Sequence, residues 1–164
     1  MARNLDQHGI GYFAGVGIVA GVIAGMAMAM FIMIVTLAGG MGLFATPEMI
    51  GQTFLKGQTG FASIVLGLMG HMMNSAVFGV IWALLWRAVA KTGAVAILGG
   101  LIYGLAIWLV MTYGVAPALG SAVPGPISPI AWVMGHMMFG FVLGLLPIFK
   151  AEAFEGEQPN RATA

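Results

Sequence analysis

The sequence predicts an all-α, polytopic membrane protein built as a four-helix bundle. Three observations carry this. Hydrophobic residues make up 60% of the 164-residue chain and charged residues only 7%, against about 25% charged in an ordinary soluble domain. Four long apolar stretches contain no Asp, Glu, Lys or Arg, and each reaches the roughly 20 residues needed to cross hydrocarbon. Lipid also requires every backbone N–H and C=O to be paired within the segment, which makes such stretches helices. No alternation of apolar and polar positions points to a transmembrane barrel.

The first span is expected over about 12–38 and the second over 61–86. The third is expected over 93–115 and the fourth over 127–149, where Ser128-Pro129 makes a helix start. Trp82, Trp86, Tyr12 and Tyr113 fall near the expected water interfaces, where amphipathic rings settle. The first apolar run is too long for the core of a signal peptide, so it is expected to be a retained span. Arg3, Arg87, Lys91, Lys150 and Arg161 fall on one side of this topology and Lys56 on the other. The positive-inside rule then places both termini in the cytoplasm.

Between the first two spans, Thr46-Pro47-Glu48 reads as a helix start, with threonine as cap and an acid at the positive end. A short interfacial helix is expected over about 47–56, ending at Gly57, with Met49, Ile50, Phe54 and Leu55 on the membrane surface. The second outer loop, PALGSAVPGPISP, is rich in turn residues and is expected to be irregular. Residues 150–164 form a polar tail, and the whole chain reads as a single membrane domain.

The chain repeats itself. Met69-Gly70-His71-Met72-Met73 recurs as Met134-Gly135-His136-Met137-Met138, an offset of 65. Gly21, Ile23, Gly25 and Ala27 recur as Gly100, Ile102, Gly104 and Ala106, an offset of 79. The difference between the offsets, 14, matches an insertion containing the short helix. These matches predict a helical hairpin used twice, as a parallel repeat about an axis along the membrane normal. Gly17, Gly21 and Gly25, with Ala96, Gly100 and Gly104 on the third span, form small-residue stripes that let membrane helices approach closely.

His71 and His136 are the candidate functional residues. Both fall near the bilayer centre, where ionisable groups are costly and often functional. On diagonal helices at equal depth, two imidazoles can ligate one haem b, or one can hold a (bacterio)chlorophyll magnesium. Gly25, Gly70, Gly104 and Gly135 are the expected clearance for such a cofactor. A metal ion is a second option: the chain has 14 Met, and thioether with imidazole suits Cu(I). Met26, Met30, Met33, Met69, Met72, Met73, Met134, Met137 and Met138 lie near the histidines or share a face. The plain alternative is that both histidines are polar glue between helices, with Asn74 in the same network, and that methionine is apolar filler.

The remaining composition excludes more than it assigns. A soluble enzyme, a nucleic-acid binder and a disordered segment are ruled out by the apolar content and a net charge of +1. Cys is absent, so there is no disulfide framework or thiolate site. The spans hold no carboxylate or cation for a proton pump, voltage sensor or charged filter, and no hydrolytic motif occurs.

The stretches GVIAGMAMAMFIMIV and GHMMNSAVFGVIWALLW resemble those of small bacterial four-helix integral membrane proteins, a group with no established activity. The resemblance implies a multi-pass protein of the bacterial inner (plasma) membrane. The leading expectation is a non-catalytic membrane subunit of a larger energy-converting or oxidoreductase complex, in contact with lipid and other membrane chains. A small-solute or copper-handling transporter and a purely structural scaffold are the alternatives.

Overall fold

The computed structural model describes residues 9–89 and 93–155, with side chains over 9–86 and 93–145. The described residues form helices and no strand. Helix α1 covers Ile10–Ala38, α2 Ala45–Phe54, α3 Phe61–Val89, α4 Ala94–Val110, α5 Ala116–Ala118 and α6 Pro129–Glu155. A π-helical turn, Met111–Val115, joins α4 to α5.

Three segments, Ile10–Ala38, Phe61–Trp86 and Ala94–Ala118, are long and apolar enough to cross a membrane. At 1.5 Å per residue the 29 residues of α1 extend about 43 Å, longer than a hydrocarbon core. Within the apolar windows of α1 and α3 only 33% and 17% of residues are buried inside the chain. The rest present apolar side chains outward and need an apolar medium. The expected fourth span is helical from Pro129 onward, two residues later than expected, and its described apolar part, Pro129–Leu145, is shorter than the other three. Residues 146–149 lie outside the described side chains, as do Arg87 and Lys150; Arg3, Lys91 and Arg161 lie outside the described residues.

Helix α1 packs along α3, α4 packs along α6, α1 and α6 join the two pairs, and α2 lies against α3. Glycine sets the first two contacts. A Cβ on Gly21 would collide with the Ser75 carbonyl and the Cα of Gly79. A Cβ on Gly100 would collide with the Gly140 carbonyl and the Cα of Gly144. These residues correspond under the two sequence offsets, so the two helix pairs touch at matching positions. Backbones this close gain van der Waals contact, which replaces the missing hydrophobic drive in lipid.

Four sequence expectations change. Helix α2 does not stand apart as a surface element: its Gly51 meets the backbone of Ser63, and Pro47 meets Gly67 of α3. The Glu48 carboxylate accepts the Gly60 N–H at 2.6 Å, tying α2 to the start of α3. Thr46 is not the cap of α2; the helix begins at Ala45, whose N–H is already bonded to Gly42 at 3.0 Å, and Phe44 takes the cap position.

The third span does not stop at Val115 but continues through Ala118. Pro117 has no N–H to offer the preceding turn, and the chain there widens to the π pattern rather than breaking. Finally, α6 runs on to Glu155, into the expected polar tail. Ala151, Glu152 and Ala153 are good helix formers, and no glycine intervenes before Gly156.

Candidate functional site

His71 stands ten residues beyond Phe61 at the start of α3, and His136 seven beyond Pro129 at the start of α6. That is about 15 and 10 Å along their helices. Both line one cavity of about 100 Å³. Position pairs related by the repeat offsets converge on it: His71 with His136, Asn74 with Phe139, and Met28 with Ile107.

The two imidazoles are held differently. The Nε2–H of His71 donates to the Gly25 carbonyl on α1 at 3.0 Å. The Nδ1–H of His136 donates to the Trp132 carbonyl one turn earlier on its own helix, at 2.9 Å. A carbonyl can only accept, so in each neutral ring the other nitrogen keeps its lone pair. His71 is half-buried, whereas His136 is 3% exposed.

Around His136 the supports continue. Trp132 packs edge-on against its ring, with centroids 4.6 Å apart. The Trp132 indole N–H donates to the Thr112 hydroxyl at 2.9 Å, inside the π turn. The position corresponding to Trp132 in α3 is Gly67, and α2 occupies that side of α3. The inserted helix and the indole thus occupy corresponding places in the two hairpins.

One end of the cavity is covered by α2 and the segment after α5. There the Thr53 hydroxyl donates to Ser121 Oγ at 2.9 Å, and Ser121 Oγ accepts the Val123 N–H at 3.3 Å. Toward the other end, the Tyr103 hydroxyl donates to the Phe78 carbonyl at 2.8 Å, and the Trp82 indole N–H donates to the Leu143 carbonyl at 3.2 Å. Trp82 stacks on Trp86 with centroids 4.9 Å apart and packs against Tyr103.

A smaller cavity of about 30 Å³ also touches His71, between Thr46, Met33 and Gly67. The buried Thr46 hydroxyl has no hydrogen-bond partner. The volume is enough for a water molecule.

The four glycines expected to clear room for a cofactor are filled by protein. A Cβ on Gly25 would meet the Ser75 side chain, on Gly70 the Phe54 ring, on Gly104 the His136 backbone and on Gly135 the Ile32 side chain. A cavity of about 100 Å³ is also well below the ~300–1,000 Å³ of pockets for drug-sized ligands. The arrangement does not fit a haem or chlorophyll between the rings.

Asn74 joins no hydrogen bond to the histidines; it is exposed and borders the cavity. Met26, Met30, Met69, Met73 and Met134 are exposed and face away from the core. The methionines that do line the cavity are Met28 and Met111. Met28 follows Gly21 and Gly25 at spacings of seven and three, so helical periodicity already placed it on the packing stripe. Nothing comparable marks Met111, whose place depends on the π turn. Among the described residues no group of three or more His, Cys, Asp and Glu is positioned to hold a metal ion.

Comparison with protein-family models, with curated proteins and with solved structures found no match.

Proposed function

We propose that this chain is a non-catalytic, four-span membrane carrier that binds a small solute at the bilayer midplane, between His71 and His136. The observation that carries this is the single cavity shared by both histidines and by residue pairs related by the two repeat offsets. A duplicated hairpin with its axis along the membrane normal builds such a central site at the interface of its halves. Asn74, Ser75, Thr53 and Ser121 add polar groups to the apolar lining, as small-ligand sites require.

With Arg87, Lys91 and Lys150 on the cytoplasmic side, the end covered by α2 and the 116–128 segment faces the periplasm. The Trp82–Trp86 stack then lies toward the cytoplasmic side.

The test exploits a chain without cysteine. Single Ser121→Cys, Asn74→Cys and Val77→Cys variants are treated in intact cells with a membrane-impermeant thiol reagent. Only a hydrated thiol ionises and reacts. Ser121→Cys and Asn74→Cys are expected to label, and Val77→Cys, exposed on the apolar face of α3, is not. Absence of labelling at both cavity positions would end this reading.

A second reading is favoured by Asn74, an exposed amide halfway along α3. Polar groups inside a membrane mark function or contact with another helix. The chain then serves as a non-catalytic subunit beside other membrane proteins. Stoichiometric copurification that is lost in Asn74→Leu supports it; purification of the wild-type chain alone from native membranes refutes it.

A further inference from the structure

Four side chains with soft or borderline donor atoms line the same cavity: His71 of α3, His136 of α6, Met28 of α1 and Met111 at the π turn. We infer that this quartet is a binding site for a soft monovalent cation, Cu(I) or its analogue Ag(I). The inference rests on the carrier reading above and names its solute class.

The donor chemistry selects the ion. Imidazole and thioether favour Cu(I), while carboxylate and carbonyl oxygen favour Mg, Ca and Mn. The cavity contains no carboxylate. Its side-chain oxygens are few and neutral: the Ser75 and Thr53 hydroxyls, whose protons go to the His71 carbonyl at 2.8 Å and to Ser121 at 2.9 Å, Ser121 itself and the Asn74 amide. Hard cations, which prefer about six or more oxygens with carboxylates among them, therefore find no anionic cage. Charge points the same way. All four candidate ligands are neutral, so a divalent ion would bring two uncompensated charges into the span and Cu(I) brings one.

Each histidine already makes the hydrogen bond that metal-bound imidazoles usually make. Each donates one ring N–H to a backbone carbonyl, Gly25 for His71 and Trp132 for His136. This bond sets the tautomer and leaves the opposite nitrogen with a lone pair to offer an ion. The ligands come from three helices and the π turn, and π segments recur at functional sites. A cavity of about 100 Å³ accepts an ion, where a macrocycle does not fit.

The test is titration of the full-length protein, in detergent and in nanodiscs, with Cu(I) buffered by a bathocuproine chelator. Ag(I) serves as the redox-inert control. One Cu(I) per chain is expected. His136→Ala, Met28→Leu and Met111→Leu should each weaken binding about tenfold or more. Met73→Leu and Met134→Leu, on exposed faces, should not change it. X-ray absorption of the wild-type complex should show both nitrogen and sulfur scatterers, a readout that needs no variant to fold.

Absence of stoichiometric binding overturns the site. So does equal weakening by Met73→Leu, or a shell of sulfur alone. If the cavity cysteines label but Cu(I) does not bind, the carrier reading stands and the ion is wrong. If the cysteines fail to label, the carrier reading falls first.

Discussion

The imidazole Nε2 of His71 lies 3.0 Å from the carbonyl oxygen of Gly25 and bonds α3 to α1 across their glycine seam. Its repeat counterpart, His136, bonds within α6 instead. Two residues in identical pentapeptides therefore do different structural work. His71→Ala is expected to weaken the α1–α3 contact by about 0.6 kcal/mol, the mean for such bonds in membranes, and at most about 1.7. Detergent-denaturation midpoints measure it, and an unchanged midpoint would show the bond to be dispensable.

Gly21 and Gly100 should be the least tolerant positions of the packing stripe. Valine at either drives a side chain into backbone, of Ser75 in one case and Gly140 in the other. The loss is expected to reach about 1–3 kcal/mol or more, because backbone cannot move aside like a side chain. Gly15→Ala meets nothing within 4 Å and should be neutral. Thermal stability in detergent separates these outcomes.

Trp132 and Thr112 form the polar link between α6 and the π turn. A double-mutant cycle with Trp132→Phe and Thr112→Val is expected to give a coupling near 0.6 kcal/mol, with about 1.7 as the upper end. Zero coupling would mean that the π turn is held by packing alone.

Gly67→Leu should detach α2, because even a Cβ there collides with the Pro47 carbonyl. The expected result is faster hydrogen exchange over residues 45–54 with the α4–α6 contact unaffected. Protection of α2 equal to wild type would contradict the packing described.

The Thr46 hydroxyl is buried without a partner, and an unsatisfied polar atom costs about 1–3 kcal/mol. Thr46→Val is therefore expected to hold or raise stability. A clear loss would show that the hydroxyl is hydrogen-bonded to water in the adjacent 30 Å³ cavity.

How much was legible varies by residue. The bounds of α1 and α3 follow from uncharged apolar runs, because lipid leaves a helix as the only paired conformation. The expected starts, Tyr12 and Phe61, fall within two residues of the observed Ile10 and Phe61. The glycine stripes were legible for the same reason: small residues at helical spacing have few other uses in a membrane. The role of Gly25, Gly70, Gly104 and Gly135 was not. A glycine leaves the same gap in a sequence whether a cofactor or a neighbouring helix fills it, and here Ser75, Phe54, the His136 backbone and Ile32 do.

By itself the sequence determined that the chain is helical and apolar enough for a membrane, where close contacts are permitted, and that two histidines stand within long apolar helices. Those properties are set by local composition and period. Tertiary structure decided which nitrogen of each histidine is engaged, that Met28 and Met111 rather than the more conspicuous methionines line the cavity, and that α2 packs into the first hairpin. These depend on the rotation of one helix against another, and in lipid no hydrophobic face announces that rotation in advance.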